Sequence, residues 1–429
     1  MTKKSFPQVE VQLEKIVGGG QALGALEDGR KVFIWGALPD ERVIAQINKK
    51  KSSYAEGVAL EVLEASPERI DPKDPGSFIS TSPWQIMALD TENRYKAALI
   101  EEAFELHDIV LPNPIEVFSD GKEYGYRNKV EFSFWYDTDT HDLSLAFFRR
   151  GTHGKISVDG TSLAHDSINT KAHQVLKELN DFGIDGRALK TLLIRSSAAG
   201  KTAWQLYVKD ETFDAEGFMQ RFTDDENGEV IYSNPKSPAS VITKRLTPAA
   251  KPLSDTILDV PFHYATEGFF QINLPVYERA LKDMKEWIPE ESAVVDLYSG
   301  VGSIGLTIGG DDVTLVELNE HAVREMERNI SELGKNATAV LAASERALDY
   351  ITNDKTIIVD PPRAGLHEDV ITRLLEEKPQ RIVYLSCNPV TQARDVMRLA
   401  EAYGVKAHRG YNFFPHTPHI EHLVVLDLY

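Results

Sequence analysis

The most reactive side chain in the sequence is Cys387, the only cysteine among 429 residues. It follows the apolar run Arg381–Ser386, which is typical of a buried strand, and Asn388 and Pro389 then turn the chain. A thiol in that place lies at the carboxyl edge of a sheet, where open α/β folds bind their ligands. Most free cysteines are small buried hydrophobic residues. The motifs around Cys387 are therefore needed to judge whether it is a nucleophile.

A glycine-rich turn follows the predicted strand Ala293–Leu297, and its Gly300 and Gly302 allow the backbone to approach a ligand at a helix amino terminus. Asp296 precedes the turn, where a carboxylate can face the cationic amino acid end of S-adenosylmethionine. Glu317 ends the next predicted strand, where an acidic side chain can bind a ribose with two free hydroxyl groups. These features fit NAD as well as S-adenosylmethionine, so they leave the cofactor undecided.

The motif around Asp360 favours one of the two cofactors. A buried strand is predicted over residues 355–360, and Pro361 and Pro362 follow at once. Because proline cannot continue a hydrogen-bonded ladder, the chain turns there and holds the carboxylate over the crevice. An acidic or amide residue before two prolines is typical of methyltransferases that act on planar nucleobases. NAD dehydrogenases have no comparable use for it.

Residues 414–423 contain three histidines, His416, His419 and His422, together with Glu421. A metal site would need these imidazoles at a rigid helical or strand spacing, which a turn with two prolines does not supply. We therefore expect no metal, and histidines that form hydrogen bonds or face solvent.

A thiol, a carboxylate and a methyl-donor site together fit one reaction. Carbon 5 of uracil is too weak a nucleophile to attack a sulfonium methyl group directly. Addition of the Cys387 thiolate to carbon 6 gives an enolate whose carbon 5 can take the methyl group, and Glu421 would then remove the carbon 5 proton so that the cysteine can leave. A free thiol has a pKa of about 8.5. The site must therefore favour its ionised form, with Arg363 or the sulfonium as the source of positive charge.

Three segments must position these residues. Residues 1–66 contain short strands separated by glycine turns, which suits a small β-barrel. Residues 67–262 begin with a Pro-rich linker and a helix over residues 91–106, and continue as an α+β central domain. Residues 263–429 alternate strands and helices in the pattern of a doubly wound, mostly parallel sheet. The predicted fold class is α/β, with a Rossmann-like carboxyl-terminal domain.

The charge balance limits the partners. With 47 Lys and Arg against 66 Asp and Glu, the net charge of −19 speaks against a general polyanion binder. Residues 49–51, Arg127, Lys129, Arg149 and Arg150 are local basic exceptions, and nucleic acid can bind if these patches share one surface. The amino terminus lacks an apolar signal core and no stretch approaches the length of a membrane span. We expect a cytoplasmic protein without a membrane partner or an obligate protein partner.

These motifs together are similar to those of the RNA uridine-5-methyltransferases, the family of tRNA and 23S rRNA enzymes, over nearly the whole chain. Residues 8–65 resemble the family's TRAM barrel, and residues 125–129 resemble a signature that opens its middle domain. Residues 267–273 resemble the segment whose glutamine contacts the methyl donor. The positions that match the family's donor site and catalytic pair are Gln271, Tyr298, Glu317, Asp360, Cys387 and Glu421.

The chain departs from the family at three places. Many relatives hold an iron–sulfur cluster through cysteines just after the barrel, but this chain has Lys73, Ile79 and Ser82 there, and with one cysteine it cannot bind the cluster. Ala343 stands where relatives often place an acidic or amide group near the adenine, and Asn412 replaces an aspartate. None of these changes touches the predicted nucleophile or base, and we expect loss of the cluster to alter substrate fit more than catalysis.

The resemblance implies methylation of carbon 5 of a specific uridine in RNA, with S-adenosylmethionine as the donor. We expect 23S rRNA as the substrate, because a TRAM barrel accompanies the members that act on large RNA more often, and uridine 54 of tRNA as the alternative. Phe269, Phe270 or Trp84 could stack on a base, although core packing is the commoner role. An RNA-binding assembly factor without catalysis and an NAD oxidoreductase stay open as other classes.

Overall fold

The computed structural model describes residues 6–152, 154–223 and 225–429. Its first unit is a closed barrel, whose strands are β1 (Gln8–Ile16), β2 (Ala22–Ala25), β3 (Lys31–Trp35), β4 (Arg42–Lys50) and β5 (Tyr54–Glu64). They join in the order β1-β2-β3-β5-β4, and β1 pairs with β4 to close the sheet. Apolar residues alternate along the strands, so that Val32 and Ile34 of β3 fill the interior while Lys31 is exposed. The predicted barrel is confirmed.

The segment after the barrel contains α1 (Phe78–Thr81), α2 (Leu89–Glu105) and the short strand β6 (Val117–Phe118). The helix α2 buries Ile100 and Phe104 in the core of the carboxyl-terminal sheet, and β6 pairs with the same sheet. The sequence analysis grouped this helix with the central domain, because periodicity reveals which face of a helix is buried but not what covers it. The domain boundaries themselves stay a prediction.

A seven-stranded sheet forms the central unit. Its strands are β7 (Lys129–Tyr136), β8 (Leu143–Phe148), β9 (Lys155–Ser157), β10 (Leu189–Ser196), β11 (Thr202–Val208), β12 (Gly228–Tyr232) and β13 (Lys244–Arg245). They lie in the order β13-β12-β11-β10-β7-β8-β9. Two helices, α3 (Asp166–Phe182) and α4 (Ala215–Met219), pack on one face of the sheet, where Phe132 and Trp204 belong to the shared core.

A hairpin of β14 (Leu253–Ile257) and β15 (Val260–Tyr264) leads into the carboxyl-terminal domain. That domain alternates helices and strands: α5 (Leu274–Lys285), β16 (Ala293–Leu297), α6 (Gly305–Ile308), β17 (Val313–Glu317), α7 (Glu320–Leu333), β18 (Ala337–Leu341), β19 (Lys355–Val359), α8 (Glu368–Glu377), β20 (Arg381–Ser386), α9 (Pro389–Leu399), β21 (Tyr403–Tyr411) and β22 (Glu421–Leu428).

The sheet of this domain has the order β18-β17-β16-β19-β20-β22-β21-β6. Strands β16 to β20 are parallel, and β22 runs antiparallel to both β20 and β21. The chain moves outward from β16 to β18 and returns to β19 beside β16, so the carboxyl ends of β16 and β19 open a crevice at the switch point. This arrangement confirms the predicted α/β class. No helix in the described ranges combines the length and the apolar composition of a membrane span.

Candidate active site

Neighbouring strand ends bring the predicted nucleophile and base to one edge of the sheet. Cys387 follows β20, and Glu421 begins β22, which is antiparallel to β20. The last pair of this ladder joins Ser386 to His422, so Cys387 and Glu421 are the next residues on the two strands. Facing residues of an antiparallel pair have Cβ atoms about 4.5–5.5 Å apart. Asp360 follows β19, the parallel neighbour of β20 on its other side, and ends at the same edge.

The surroundings of Cys387 disfavour the thiolate in the protein alone. Burial and the negative charges of Glu421 and Asp360 raise the pKa of Cys387 to about 12, and Arg363 acts in the opposite direction. The sequence analysis expected positive charge to prevail here. Arg363 has the expected sign, but burial and two carboxyl groups outweigh it, so Cys387 is a protonated thiol at neutral pH.

The carboxyl groups at this edge also resist ionisation. Burial raises the pKa of Asp360 to about 7. Burial and the charge of Asp360 raise the pKa of Glu421 well above its usual range, and Arg363 lowers it. Because two buried carboxyl groups this close do not both ionise readily, the pair Asp360–Glu421 keeps a proton at neutral pH.

Arg363 is held by the loop that carries the nucleophile. Its backbone carbonyl accepts hydrogen bonds from the side chains of Asn388, at 2.8 Å, and Thr391, at 3.2 Å. Asn388 is the residue after Cys387, so the turn after β19 and the turn after β20 form one unit. The positive charge of Arg363 is thereby kept near the thiol and the base.

A further acidic group lies beneath the glycine turn. Asp296 is fully buried, its Oδ2 accepts a hydrogen bond from the Gly305 N–H at 2.9 Å, and its Oδ1 has no partner among the described residues. Burial, with a smaller contribution from the charges of Asp360 and Glu317, raises the pKa of Asp296 to about 8. Within the described chain, no basic side chain forms an ion pair with Asp296 or Asp360. A cationic ligand would complete this cluster.

The glycine turn itself is held against Glu317. The Oε2 atom of Glu317 accepts a hydrogen bond from the Gly300 N–H at 3.0 Å, and its Oε1 accepts one from the Asn319 N–H at 2.7 Å. Tyr298, Gly300 and Gly302 have positive φ values of 65°, 56° and 84°. In a tyrosine this backbone conformation costs on the order of 1–3 kcal/mol, and it is retained mostly at functional sites.

A cavity of about 640 Å³ opens beside the turn. The residues that line it include Tyr298, Glu317, Ala343 and Glu345. The methyl group of Ala343 cannot replace a polar contact to a base. The volume suits a nucleoside-sized ligand. The other predicted site residues lie outside the cavity lining: Gln271, Asp296, Gly300, Gly302, Asp360, Cys387 and Glu421.

Gln271 is buried on the segment between β15 and α5, and central-sheet residues hold that segment. The Gln271 carbonyl accepts a hydrogen bond from the Asn128 side chain at 2.8 Å. The Gly268 carbonyl accepts hydrogen bonds from Arg195 at 2.8 Å and Lys129 at 3.4 Å. Sequence analysis missed Asn128 and Arg195 as positioning residues. Residues 125–129 stood out as a motif, but nothing in the sequence connects Arg195 to Gly268.

The three aromatic candidates for base stacking differ in exposure. Phe270 is buried and stacks on Tyr264, with ring centroids 4.0 Å apart. Trp84 is also buried, and its Nε1 donates a hydrogen bond to the Gly20 carbonyl at 2.9 Å. Phe269 is 67% exposed, two residues before Gln271. Phe269 is therefore the one of the three that can meet a base.

The histidines of residues 414–423 do not converge. His416 is buried between Glu92 and Glu123, at 3.7 and 3.3 Å, whereas His419 is exposed. His422 is buried, and its Nδ1 lies 2.7 Å from the Gln392 side-chain oxygen. Among the residues that the structure describes, no three His, Cys, Asp or Glu side chains are grouped to hold a metal ion.

Hydrogen bonds occupy the position to which the resemblance would assign an iron–sulfur cluster. The Gln85 side chain donates to Ser82 at 2.7 Å and to Asp74 at 3.1 Å, and the Ser162 hydroxyl donates to Asp74 at 2.8 Å. This network ties the linker to the loop before α3. Asn412, where an aspartate was expected, instead donates to Glu92 at 2.9 Å, beside the buried Glu92–Lys96 ion pair.

Two of the basic patches share one surface. Asn48, next to residues 49–51, lies against Gly151, so the basic run of the barrel adjoins Arg149 and Arg150 of the central sheet. The Arg150 guanidinium lies 4.1 Å from the ring centroid of Trp35 in β3. The condition that sequence analysis set for nucleic-acid binding is met at this corner. Lys129 instead belongs to the contact with Gly268.

Comparison with known proteins places this geometry in a family. Residues 259–428 match the family model described as tRNA (Uracil-5-)-methyltransferase. This segment is similar to the tRNA (uracil-5-)-methyltransferases. The matched segment includes every predicted site residue, from Gln271 to Glu421, and the predicted resemblance is confirmed.

Relatives cover the chain end to end. An uncharacterized RNA methyltransferase of Fusobacterium nucleatum is 28% identical over 96% of this chain and 94% of its own length. One of Chlorobaculum tepidum is 29% identical over 94% of this chain and 92% of its own. The Pyrococcus abyssi tRNA (uracil-54, C5)-methyltransferase, solved with S-adenosyl-L-homocysteine, has a TM-score of 0.79 at 22% identity and covers 97% of this chain and 100% of its own. It shares the fold.

The matches are to RNA methyltransferases, so they favour a methyl donor over NAD at the glycine turn. The residues of the matched segment fit S-adenosylmethionine on one observation. The buried Asp296 has an unpartnered Oδ1 and lies among carboxyl groups that raise its pKa. The cationic methionine end of S-adenosylmethionine supplies the positive charge that this cluster lacks.

Proposed function

We propose that the protein methylates carbon 5 of a uridine in RNA through a transient bond between the Cys387 sulfur and carbon 6 of the base. The observation that carries this proposal is the register of β19, β20 and β22, which puts Asp360, Cys387 and Glu421 at one sheet edge. A thiol and two carboxyl groups beside a cofactor crevice have little use in a protein that only binds RNA.

Each chemical step has a residue to perform it. The Cys387 thiolate adds to carbon 6, and the electrons of the 5,6 double bond move to the carbonyl at carbon 4 as an enolate. S-adenosylmethionine supplies an electrophilic methyl group, which carbon 5 takes up. The Glu421 carboxylate then removes the proton from carbon 5, the double bond forms again, and the thiolate leaves. Uridine is converted to 5-methyluridine with release of one proton.

Two protonation states have to change before this sequence begins. Cys387 must lose its proton, and Glu421 must be ionised when carbon 5 carries its methyl group. Arg363 lowers the pKa of both groups. A cation beside Asp296 and Asp360 offsets the negative charge that raises the pKa of Cys387. We therefore propose that the protein binds its cofactor before the thiol becomes reactive.

Two RNA substrates are candidates. We propose 23S rRNA, on the basis of the complete barrel at residues 8–64. The second candidate is uridine 54 of tRNA, which the shared fold of the Pyrococcus abyssi tRNA enzyme favours. Cytoplasmic location stays a prediction.

The decisive experiment is transfer of a radiolabelled methyl group to total rRNA and total tRNA in parallel, with mapping of the labelled base. We expect label at carbon 5 of a uridine with the wild type and none with Cys387→Ala. Methyl transfer that survives Cys387→Ala would refute the covalent mechanism. If Cys387→Ala abolishes methylation but leaves RNA binding and growth unchanged, a role as an RNA-binding assembly factor is favoured.

A further inference from the structure

We propose that the open half of the outer face of the central sheet binds single-stranded RNA beside the target uridine, with Trp135 and Phe148 stacking on its bases. The outer face is the face of β7 to β13 opposite α3 and α4. The inference rests on the proposed function, because it assigns part of the same RNA substrate to a second surface.

Alternation along the strands identifies this face. Phe132 and Phe134 of β7 point to the core under α3, so Ser133 and Trp135 point to the outer face. Over β10 to β12 the outer face is closed, because Leu193 and Tyr207 are buried in a small cluster against Ile242. Over β7 to β9 two rings are exposed, Trp135 by 45% and Phe148 by 57%, whereas Ser133 and Ala146 between them are buried.

The floor between the two aromatic residues is small and polar. Ser133 faces Ala146 across the β7–β8 ladder, and Trp135 faces Ser144. Ser133 is 5% exposed, and its hydroxyl has no hydrogen-bond partner among the described residues. The floor is thus closed to a base, and bases can stack only on the exposed faces of the two rings.

Positive charge lies at the Phe148 end of the face, whereas Asp137, Asp139 and Asp142 lie in the turn that follows Trp135. Lys155 pairs with Phe148 in the β8–β9 ladder; its Nζ lies 5.1 Å from the ring centroid and donates a hydrogen bond to the Phe134 carbonyl at 2.9 Å. Arg149 and Arg150 follow directly, and residues 49–51 of the barrel adjoin them. In a chain with a net charge of −19, this concentration of cations fits a polyanion. Exposed aromatic rings next to cations are the features that bind unpaired nucleotides.

The open face leads toward the proposed active site. At the end of β7 away from Trp135, Lys129 contacts Gly268, which precedes the exposed Phe269. Six residues of strand separate Lys129 from Trp135, which corresponds to about 20 Å. Glu131 lies between them, but hydrogen bonds from Thr191 and Ser240 hold its carboxylate toward the closed half. Trp135 thus lies about 20 Å from the end of β7 that contacts the Gln271 segment.

The test measures binding of fluorescein-labelled oligoadenylate to the full chain by anisotropy. This probe contains no uridine, so the result does not depend on methylation. We expect Trp135→Ala and Phe148→Ala each to raise Kd about 5- to 150-fold. Trp135→Phe, which keeps a ring, should bind like the wild type, and so should Tyr429→Ala, which removes an exposed ring elsewhere. Lys50→Gln should reduce the salt dependence by a slope of about 0.7.

The outcomes separate this inference from the proposed function. Unchanged Kd values for Trp135→Ala and Phe148→Ala would overturn it, with affinity for S-adenosylmethionine as the check that both variants fold. Blunt duplex RNA that binds as tightly and responds to the same substitutions would also overturn it. So would a wild-type dimer that these substitutions dissociate, because the face would then be a contact between copies. Ring-dependent binding without methylation of any RNA would support the site and refute the proposed function.

Discussion

Asp296 should decrease the stability of the fold in exchange for affinity toward a cationic ligand. Its carboxyl group is fully buried, and its pKa is raised from an ordinary value of 3.8 to about 8. In the unfolded chain the group ionises above pH 4, whereas in the folded protein it stays neutral until about pH 8. The unfolded state therefore holds fewer protons between these limits, and stability falls as the pH rises through this range.

The size of this effect follows from the shift. Each pKa unit corresponds to 1.36 kcal/mol, and about three units lie between the ordinary pKa and pH 7. The wild type should thus lose on the order of 4 kcal/mol from Asp296 between pH 4 and pH 7. Asp296→Asn removes this loss and keeps an oxygen for the Gly305 N–H. We expect the variant to be more stable than the wild type at pH 7, and the difference to grow toward pH 8.

Urea unfolding at several pH values between 5 and 8 measures the difference in stability between Asp296→Asn and the wild type. Calorimetric titration measures their affinities for S-adenosylmethionine. The variant should bind the cofactor about 10- to 150-fold more weakly, as expected for loss of a hydrogen bond to a charged group. The wild type should release up to one proton on binding at pH 7. Asp312→Asn, at an exposed position before β17, is the control and should change neither quantity. Equal pH dependence in Asp296→Asn and the wild type would refute the reasoning.

Three further predictions address the sheet edge with Cys387 and Glu421, the Gln271 segment and the helix α2. Glu421→Gln should accumulate a denaturant-resistant protein–RNA adduct on gels, because addition proceeds while removal of the carbon 5 proton stalls. Asn128→Ala should raise the KM for S-adenosylmethionine about 2- to 12-fold with little change in the KM for RNA, because one hydrogen bond to the Gln271 segment is lost. Lys96→Met should lower the free energy of unfolding by about 3–5 kcal/mol, because Glu92 stays buried without its partner.

A specific result would contradict each of these three predictions. Normal methyl transfer by Glu421→Gln without an adduct would remove Glu421 from the role of base. A rise in the KM for RNA alone in Asn128→Ala would show that Asn128 contacts the substrate rather than holding the Gln271 segment. The control for Lys96→Met is Lys15→Met. Lys15 is an exposed lysine of β1 that pairs with Glu102 of α2, so this substitution should be nearly neutral. Similar losses in both variants would show that burial of Lys96 is not the cause.

The sequence indicated the positions of Cys387, Asp360 and Glu421 because each adjoins an apolar run that predicts a strand. The carboxyl ends of the parallel strands β19 and β20 meet at one edge, whereas Glu421 reaches that edge as the first residue of the antiparallel strand β22. The direction of the Cys387 pKa shift was not predicted. It depends on how deeply the thiol is buried and on how close two carboxyl groups lie, which are distances between strands that pattern analysis does not measure.

Contacts between domains were equally out of reach of the sequence. The periodicity of α2 indicated a buried face, but only the fold shows that Ile100 and Phe104 meet the carboxyl-terminal sheet. The same holds for Arg195, which lies 73 residues before Gly268 in the chain and bonds to its carbonyl. Such pairs are brought together by the packing of whole domains, and no local spacing signals them.

The short strand β6 has a consequence for how the molecule can be divided. Residues 117 and 118 extend the carboxyl-terminal sheet beside β21, and the polypeptide then leaves to build the central sheet before it returns at α5. The central sheet is thus an insertion, and the segments before and after it in the chain both belong to the carboxyl-terminal domain. A fragment that starts at residue 263 would lose its edge strand and the helix that covers Tyr384 and Leu399, and we expect it to aggregate. The double anchorage also restricts rotation of the central sheet, so RNA bound there as proposed would meet Cys387 in one orientation.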